Sequence, residues 1–482
     1  MRQRGGWWQR LQMTVATNRR HFLQGTSAAL VAGSAPRAAW GRTEVDVVII
    51  GAGLAGLMAA HKLEAAGLKT VIVEGEKRVG GRLHTLDDLP GGPEAGGIQV
   101  GTGYRLLRAI ANDLKVGLSE RGGAGAGIAE SSSALFNING QTVTPADWPT
   151  AAANRLSANE RSTLPLALGF SYGTKLRRLA NPEAWLDADP TLDISYATAL
   201  RQAGASDEAL RLIQANMNGN TLASMSQLHA LRTAAIFRAG AGPTATIVGG
   251  SQRLPEAMAA RTKSPIRLGQ LVTGISEDAN GVTVRTAKNS VRARHAICTI
   301  PFSALRHIPI DGNFDAAIAT LIASLPYTRA SFAYLSASEA FWKSDGLPET
   351  LWTDDPLIGR VFVLGDNPAM LKVWAVGARA DLLDRTNPAL AATEIIARIE
   401  NARPSAKGKL KMERLFSWQQ SPMARGIYHH IGIGQAALLA RATRAEGQRL
   451  HFAGEHMAQS ASGMEAALES GDRVARLIAE RL

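Results

Sequence analysis

The sequence contains a single cysteine, Cys298, among 482 residues. A disulfide framework, a four-cysteine zinc site and a thiolate-bound iron–sulfur cluster each need several cysteines within the chain. All three are therefore excluded. Any redox chemistry of this protein has to come from a cofactor.

Long apolar runs are also missing from the sequence. The stretch that comes closest to a membrane-spanning length is Val45–Ala60, and a glycine motif interrupts it. A spanning helix needs about 20 consecutive, predominantly apolar residues. The sequence therefore predicts no membrane span.

Lysine is scarce, with 12 residues against 41 arginines, and the arginines are scattered rather than gathered into a stripe. Residues 1–42 hold seven arginines and no acidic residue, and leaving them out lowers the formal net charge from +12 to +5. Because nucleic-acid binding needs clustered positive charge, no such function is predicted. His429 and His430 are adjacent and would point to opposite faces of a strand, so no metal site is predicted either.

Apolar residues make up 45% of the chain and charged residues 20%, which is typical of a folded globular protein. At this length one hydrophobic core is not enough, because domains usually contain about 50–250 residues. We therefore expect two sequential or interleaved domains.

Residues 1–42 have the layout of a twin-arginine export signal. The pair Arg19–Arg20 precedes Phe22–Leu23, a weakly apolar run follows over Thr26–Ala35, and small residues come next. This pattern predicts bacterial export of the folded protein to the periplasm or the medium. A frayed basic terminus is the alternative, and Met1 and Met13 are both candidate start sites.

A dinucleotide-binding fingerprint begins directly after this region. The β-branched run Glu44–Ile50 predicts a buried strand, Gly51–Gly56 has the G-x-G-x-x-G spacing, and Leu57–Ala66 predicts a helix. A second predicted strand, Lys69–Val73, ends at Glu74, where a carboxylate can accept hydrogen bonds from ribose hydroxyls. Strand, glycines, helix and acid together predict a dinucleotide site.

Further motifs resemble those of the flavin amine oxidase family, which includes monoamine, polyamine and L-amino-acid oxidases. Arg78–Arg82 is similar to the R-x-G-G-R segment of FAD enzymes of the glutathione-reductase type. Glu94–Gly101, Gly249–Pro255, Leu450–His456 and Gly463–Gly471 resemble four other family segments in order. The resemblance implies that FAD is held by Gly51, Gly53, Leu54, Ala55, Gly56, Glu74, Arg82, Gly96, Gly97, Ile98, Gln99, Val272, Gly454, Glu455, Gly463, Met464 and Ala467.

The resemblance also assigns residues beside the substrate. Trp418–Tyr428 is similar to a segment whose last residue, here Tyr428, forms half of an aromatic cage that faces the flavin. The other half falls on Gly463, which predicts a half-open cage with space for a bulky substituent. The position of the arginine that binds the substrate carboxylate in L-amino-acid oxidases falls on Gln99, which makes an α-amino acid a less favoured substrate.

Two further expectations concern electron transfer and the flavin link. The position of a family lysine near the flavin, ten residues before Trp342, falls on Phe332. Oxygen is therefore in doubt as the electron acceptor, and an exported redox carrier becomes the alternative. Cys298 lies in a predicted strand far from the closing helix, so we expect FAD to be non-covalent.

These observations predict an α/β protein with a Rossmann-like FAD-binding domain of the glutathione-reductase type and an interleaved α+β substrate domain. The FAD-binding domain is expected to comprise 43–105, 246–320 and 426–482, and the substrate domain 106–245 and 321–425. The resemblance implies hydride transfer from a small-molecule amine to FAD, giving an imine that hydrolyses. Alternatives are an L-amino-acid oxidase, a desaturase or porphyrinogen-oxidase-like enzyme, and an exported binding protein; the oligomeric state stays open, a homodimer included.

Overall fold

Two large β-sheets with surrounding helices form the part of the chain that the computed structural model describes, residues 45–120 and 134–482. The described strands, in chain order, are β1 (Val45–Ile50), β2 (Thr70–Val73), β3 (Leu118–Glu120), β4 (Ala134–Ile138), β5 (Gln141–Val143), β6 (Ala245–Ile247), β7 (Ile266–Arg267), β8 (Val272–Asp278), β9 (Gly281–Thr286), β10 (Ser290–Cys298), β11 (Ile310–Asp311), β12 (Ala330–Ala337), β13 (Thr350–Thr353), β14 (Arg360–Asp366), β15 (Ala369–Val376), β16 (Leu410–Ser417) and β17 (Leu450–Phe452).

The helices lie between these strands and after the last of them. In chain order the described α-helices are α1 (Leu54–Ala65), α2 (Arg105–Asp113), α3 (Leu168–Gly173), α4 (Tyr196–Gln202), α5 (Asp207–Asn216), α6 (Gln227–Ala239), α7 (Arg253–Arg261), α8 (Phe302–Leu305), α9 (Ala316–Ser324), α10 (Ala378–Arg385), α11 (Pro388–Ala402), α12 (Ala436–Arg444) and α13 (Gly463–Arg481). In the described ranges no helix is both long and apolar enough to cross a membrane.

The first sheet has eight strands, in the order β11-β8-β9-β10-β1-β2-β7, with β17 also paired to β10. β1 runs parallel to both β2 and β10. Val47 and Ile49 pack into one hydrophobic cluster, whereas Val48 and Ile50 pack into another on the opposite face. Burial on both faces explains why β1 is continuously apolar rather than alternating.

The boundaries around the glycine motif differ slightly from the prediction. α1 begins at Leu54, not Leu57, because Gly53 is its N-cap and the third glycine lies within the first turn. β2 begins at Thr70, one residue later than predicted. The ends of β1 and β2, where the motif and Glu74 follow, lie side by side, since Ile50 pairs with Val73.

The C-terminal helix α13 packs against α1 in the same hydrophobic cluster. Val474 and Ile478 of α13 join Leu57 and Met58 of α1 there. This packing places the start of α13 beside the glycine motif, although more than 400 residues separate them along the chain. The two ends of the chain that carry motifs therefore meet at one place.

The second sheet has seven strands, in the order β16-β12-β15-β14-β13-β4-β5, and comes from residues 134–143 and 330–417. The strands β12, β14 and β15 lie at its centre and pair antiparallel with their neighbours. The first sheet uses residues 45–73, 266–311 and 450–452. The division into two interleaved domains stays a prediction.

Candidate active site

The turn between β1 and α1 depends on two glycines. Gly51 has φ +106°, and an added Cβ would lie 2.3 Å from Thr299 Oγ1. A Cβ on Gly56 would lie 2.0 Å from the carbonyl oxygen of Gly51. Only glycine lets the helix approach the strand this closely. The amino end of α1, with its unpaired N–H groups, is thereby held at the edge of the sheet, where it can bind phosphate.

Glu74 ends β2 beside this turn and is buried, with 8% of its surface exposed. Its carboxylate accepts hydrogen bonds from the N–H of Ala52 and the N–H of Glu76, each at 2.7 Å. An ionised carboxylate has about four acceptor sites. The bonds fix Glu74 in place while further lone pairs can accept from ribose hydroxyls, so the residue fits its predicted task.

The two arginines of the Arg78–Arg82 segment make different contacts. The guanidinium of Arg78 donates to the carbonyl oxygens of Gly81 and Leu83, at 2.7 and 2.8 Å, and so holds the loop in shape. Arg82 donates to the carbonyl oxygen of Ile427 and lies 3.3 Å from Glu455 Oε2. Its guanidinium therefore connects the N-terminal motif to the C-terminal one.

Glu455 is a buried carboxylate with two cationic or polar neighbours. His429 Nδ1 lies 2.8 Å from Glu455 Oε1, and Arg82 lies beside the other oxygen. Burial opposes ionisation of Glu455, but His429 and Arg82 outweigh it and hold the pKa well below its usual range. Glu455 is therefore an anion, with its charge balanced inside the protein.

One cavity of about 1180 Å³ joins nearly all the residues predicted from the sequence. It exceeds the ~1000 Å³ upper end of ordinary ligand pockets, which leaves room for a dinucleotide and a substrate. Gly56 is the exception, because it packs the helix on the strand and does not reach the cavity. The predicted residues in the lining are Gly51, Gly53, Leu54, Ala55, Glu74, Arg82, Gly96, Gly97, Ile98, Gln99, Val272, Phe332, Tyr428, Gly454, Glu455, Gly463, Met464 and Ala467.

The model of the family described as flavin containing amine oxidoreductase matches residues 54–479. The chain belongs to this family. The match begins at the start of α1, directly after the first two glycines of the motif, and ends two residues before the end of α13. The cofactor is therefore FAD, and the protein is a flavin-dependent amine oxidoreductase. The cradle of Gly51–Gly56 and Glu74 supplies the contacts that such a cofactor needs.

Relatives of the chain in this family oxidise different amines according to their names. A flavin-dependent L-tryptophan oxidase from Lentzea aerocolonigenes is 25% identical over 91% of this chain and 98% of its own length. A probable flavin-containing monoamine oxidase A from Dictyostelium discoideum is 24% identical over the same shares. The solved cyclohexylamine oxidase from Brevibacterium oxydans superposes with a TM-score of 0.75 at 23% identity, covering 91% of this chain and 99% of its own, and shows the same mixed α/β fold.

The lining of the cavity in this amine oxidoreductase includes a group of aromatic side chains, called the aromatic end: Phe332, Trp352, Phe362, Trp374 and Tyr428. Tyr428 lines it and donates a hydrogen bond to the carbonyl oxygen of Asn218 at 3.3 Å. Phe332 also lines the cavity, is inaccessible to bulk solvent, and stacks on Trp374 with 4.5 Å between ring centroids. The predicted substrate-side residues Tyr428, Phe332, Gln99 and Gly463 all contribute to one cavity.

The space beside Gly463 is limited on one side by another residue. It has φ +61°, and a Cβ added to it would lie 2.7 Å from the hydroxyl oxygen of Tyr104. The space next to the glycine is therefore occupied by a tyrosine from a distant segment. The half-open cage at Gly463 stays a prediction, with the direction of an added Cβ filled by Tyr104.

Two basic residues that line the cavity belong to none of the sequence motifs. Lys372 lines the cavity, and its Nζ lies 4.1 Å from the ring centroid of Phe332. It donates to the carbonyl oxygen of Glu94 at 2.7 Å, and burial lowers its pKa to about 7. Phe332 stands at the sequence position of the family lysine. Lys372 therefore places a lysine beside that position, but it does so from the neighbouring strand β15. Arg360 lines the same region from β14.

The sequence does contain a pattern that indicates Arg360 and Lys372. In both of their strands, alternating residues line the cavity. Arg360, Phe362 and Leu364 are spaced two apart and all line the cavity, as do Lys372 and Trp374. Side chains two apart share one face of a strand. A buried strand with a cation on the same face as aromatic residues indicates a functional cavity, although the sequence does not say which cavity.

The two adjacent histidines do not lie in a named strand. An isolated bridge pairs His429 with Tyr327, and the N–H of His430 donates to the carbonyl oxygen of Pro326 at 3.0 Å. Both rings are buried rather than at a rim, with 3% and 2% of the residue surfaces exposed. His429 contacts Glu455, whereas burial lowers the pKa of His430 to about 4. In the described ranges no cluster of three His, Cys, Asp or Glu residues could hold a metal.

Proposed function

We propose that this enzyme oxidises the carbon–nitrogen bond of a small-molecule amine to an imine, which water then hydrolyses. The observation that carries the proposal is that one cavity is lined both by the glycine turn and by the aromatic side chains that include Tyr428. FAD bound in the cradle supplies the hydride acceptor for the amine's α-carbon. The chain itself has to bind the amine, orient it and exclude water.

Named residues account for these tasks. Tyr428 presents a ring whose position is fixed by its bond to Asn218, and Phe332 and Trp374 form an apolar wall. Glu455 lies beside Arg82 and His429, so its carboxylate has partners within the protein. Gln99 lines the cavity with an exposed side chain and is proposed to contact the substrate.

An L-amino-acid oxidase is the second candidate function. The tryptophan oxidase and several L-amino-acid oxidases among the relatives support it, for example a 25% identical one from the fish Siganus canaliculatus. Anaerobic titration of the purified yellow protein distinguishes the candidates, since the correct substrate bleaches the visible flavin band. Bleaching only by a polyene or a porphyrinogen would contradict amine oxidation, and a colourless protein that cannot be reconstituted with FAD would contradict enzymatic function altogether.

The finer description of the fold is also a proposal. We assign the first sheet to a Rossmann-like FAD domain of the glutathione-reductase type, supported by the parallel neighbours β10, β1, β2 and β7 and by the glycine turn at the end of β1. Residues 1–42, which carry the proposed twin-arginine signal, lie outside the described residues. Fractionation of cells expressing the full chain, with Arg19→Lys and Arg20→Lys together as control, tests the export.

The electron acceptor is oxygen or an exported redox carrier. The sequence favours a carrier because Phe332 replaces the family lysine, whereas Lys372 beside that ring supports oxygen. Stopped-flow mixing of substrate-reduced enzyme with air-saturated buffer decides between them. Reoxidation as fast as turnover identifies an oxidase, and slow reoxidation that a cytochrome or an artificial acceptor accelerates identifies a dehydrogenase.

A further inference from the structure

The proposed oxidation requires the substrate to lose a proton before it loses hydride. An alkylammonium ion has a pKa of about 10, like a lysine side chain, so a small amine is a cation at neutral pH. Hydride leaves the α-carbon only when the nitrogen has a free lone pair with which to form the C=N bond. The cavity therefore needs a group that accepts this proton.

Most titratable groups that line the cavity are unsuited to this task. Each lining carboxylate is bound within the protein, to backbone N–H groups or to basic side chains: Glu74, Glu76 and Glu455. Burial raises the pKa of Tyr428 to about 12, with Arg360 opposing the rise and Glu455 adding to it, so the phenol keeps its own proton. Arginine side chains stay protonated at neutral pH. His307 is exposed to solvent and does not belong to the aromatic end.

Lys372 is the remaining basic group of the lining, and it lies within the aromatic end. Only 1% of the residue is exposed, and its Nζ lies 4.1 Å from the ring centroid of Phe332 and 4.9 Å from that of Trp374. Nζ donates to the carbonyl oxygen of Glu94 at 2.7 Å, which also accepts from the hydroxyl of Tyr334 at 2.8 Å. An uncharged lysine amine can donate this bond and still offer its lone pair to a proton.

The surroundings of Lys372 suit both of its protonation states. Burial lowers its pKa to about 7, against a smaller opposing effect of the Glu94 carboxylate, so the amine is uncharged above neutral pH. The protonated form is stabilised by Glu94 and by the faces of Phe332, Trp374 and Tyr334, the last with its centroid 5.4 Å from Nζ. A group that is stable in both states near neutral pH can take up a proton and release it.

Two arginines lie on the strands next to β12 and β15. Arg414 of β16 is paired with Asp88 at 2.6 Å. The guanidinium carbon of Arg360 of β14 lies 5.8 Å from the ring centroid of Trp374, the same ring that Lys372 contacts. Two amines in contact within a buried site do not both stay protonated, because like charges repel strongly there. A cationic amine that enters beside Lys372 therefore shares one proton with it.

We infer that Lys372 is the catalytic base of this enzyme and that its Nζ takes a proton from the ammonium group of the substrate. The inference rests on the proposed amine oxidation and deepens it. One N–H bond of the ammonium breaks and one N–H bond forms on Lys372, which becomes the cation. The freed lone pair forms the C=N bond as hydride, with its two electrons, leaves the α-carbon for FAD. Lys372 returns the proton to solvent before the next substrate binds.

Proton release on binding tests the inference without turnover. The ligand is the α,α-dimethyl analogue of 2-phenylethylamine, which has no α-hydrogen and cannot be oxidised. Calorimetry of the FAD-loaded enzyme in two buffers of different ionisation enthalpy gives the number of protons released per ligand bound. The wild type should release about one proton at pH 6 and almost none at pH 8.5, where Lys372 accepts it. Lys372→Arg stays charged and cannot accept the proton, so it should release about one at both pH values.

The pH dependence of flavin reduction tests the same point by reaction. Without a base on the enzyme only the neutral amine in solution reacts, and its share rises about tenfold per pH unit below a pKa of about 10. The second-order rate constant for anaerobic reduction by 2-phenylethylamine should be nearly constant from pH 7.5 to pH 9.5 in the wild type. It should rise by about 100-fold over this range in Lys372→Met and in Lys372→Arg. The control Lys411→Met, at a side chain that is 75% exposed, should keep the wild-type profile.

The possible failures are distinguishable. Equal proton release by the wild type at both pH values, or no binding of the analogue, overturns the role of Lys372. A loss in Lys372→Met that is the same at every pH also overturns it, because that is the result of a purely structural role. Bleaching of the flavin by 2-phenylethylamine then still supports amine oxidation. Proton release that changes with pH in the wild type but not in Lys372→Arg, with no bleaching by any amine, supports the base and overturns the proposed oxidation.

Discussion

The buried amine of Lys372 should make the free energy of unfolding of this enzyme depend on pH. Replacing Lys372 should remove that part of the pH dependence. The solvated side chain has a pKa of 10.5, and burial lowers it to about 7 in the folded protein, against a smaller opposing effect of Glu94. Between these two values the unfolded chain binds the proton that the folded chain has lost. Stability therefore rises with pH in this window.

The size of the effect follows from the two pKa values. They differ by about 3.5, and at ~1.4 kcal/mol per pKa unit the full effect is about 5 kcal/mol. Most of this window lies between pH 7 and pH 9.5, so over that range the contribution of Lys372 to the free energy of unfolding should rise by about 3 kcal/mol. Below pH 7 both states bind the proton, and the contribution becomes constant.

Lys372→Met removes the titrating group and keeps an unbranched side chain. Urea unfolding of the FAD-loaded wild type and variant, followed by circular dichroism at pH 6, 7, 8 and 9.5, gives the difference in unfolding free energy at each pH. The difference should be nearly constant from pH 6 to pH 7. Between pH 7 and pH 9.5 the wild type should gain about 3 kcal/mol of unfolding free energy relative to the variant. The control Lys411→Met, at a side chain that is 75% exposed, should show no such trend. Parallel wild-type and Lys372→Met profiles would refute the reasoning, because they would mean that Lys372 titrates alike in both states.

Three further predictions concern the cofactor site. Gly56→Ala places a Cβ 2.0 Å from the carbonyl oxygen of Gly51 and should weaken FAD binding by about tenfold or more, measured by quenching of flavin fluorescence, whereas Gly173→Ala, with no atom within 4 Å, should not. Glu455→Gln leaves buried positive charge without its counter-ion and should lower the unfolding free energy by about 3 kcal/mol in calorimetry; an unchanged transition would contradict the ion-pair assignment. Acid precipitation should release all FAD into the supernatant, because Cys298 is fully buried in β10 with its pKa raised to about 12, and yellow colour in the pellet would contradict non-covalent binding.

The sequence by itself determined the cradle for FAD and the family. Strand, glycine turn, helix and acid follow one another within residues 45–74, so their geometry depends on local backbone rules that each residue type reveals. The C-terminal segment around Glu455 and Gly463 was identified by its resemblance, and its meeting with the N-terminal motif in one cavity is confirmed. The start of α1 was misplaced by three residues because the N-cap is Gly53, within the motif.

Only the tertiary structure decided the chemistry of the aromatic end. Lys372 reaches Phe332 because β12 and β15 pair antiparallel, with Phe332 opposite Trp374 and Tyr334 opposite Lys372. The sequence around Phe332 has no lysine between Lys288 and Lys343, and Lys372, the lysine beside its ring, lies 40 residues away on another strand. Tyr104 fills the space beside Gly463 by the same kind of long-range packing. Strand register and helix packing set these distances, and both depend on how many distant side chains are buried together, which no local pattern encodes.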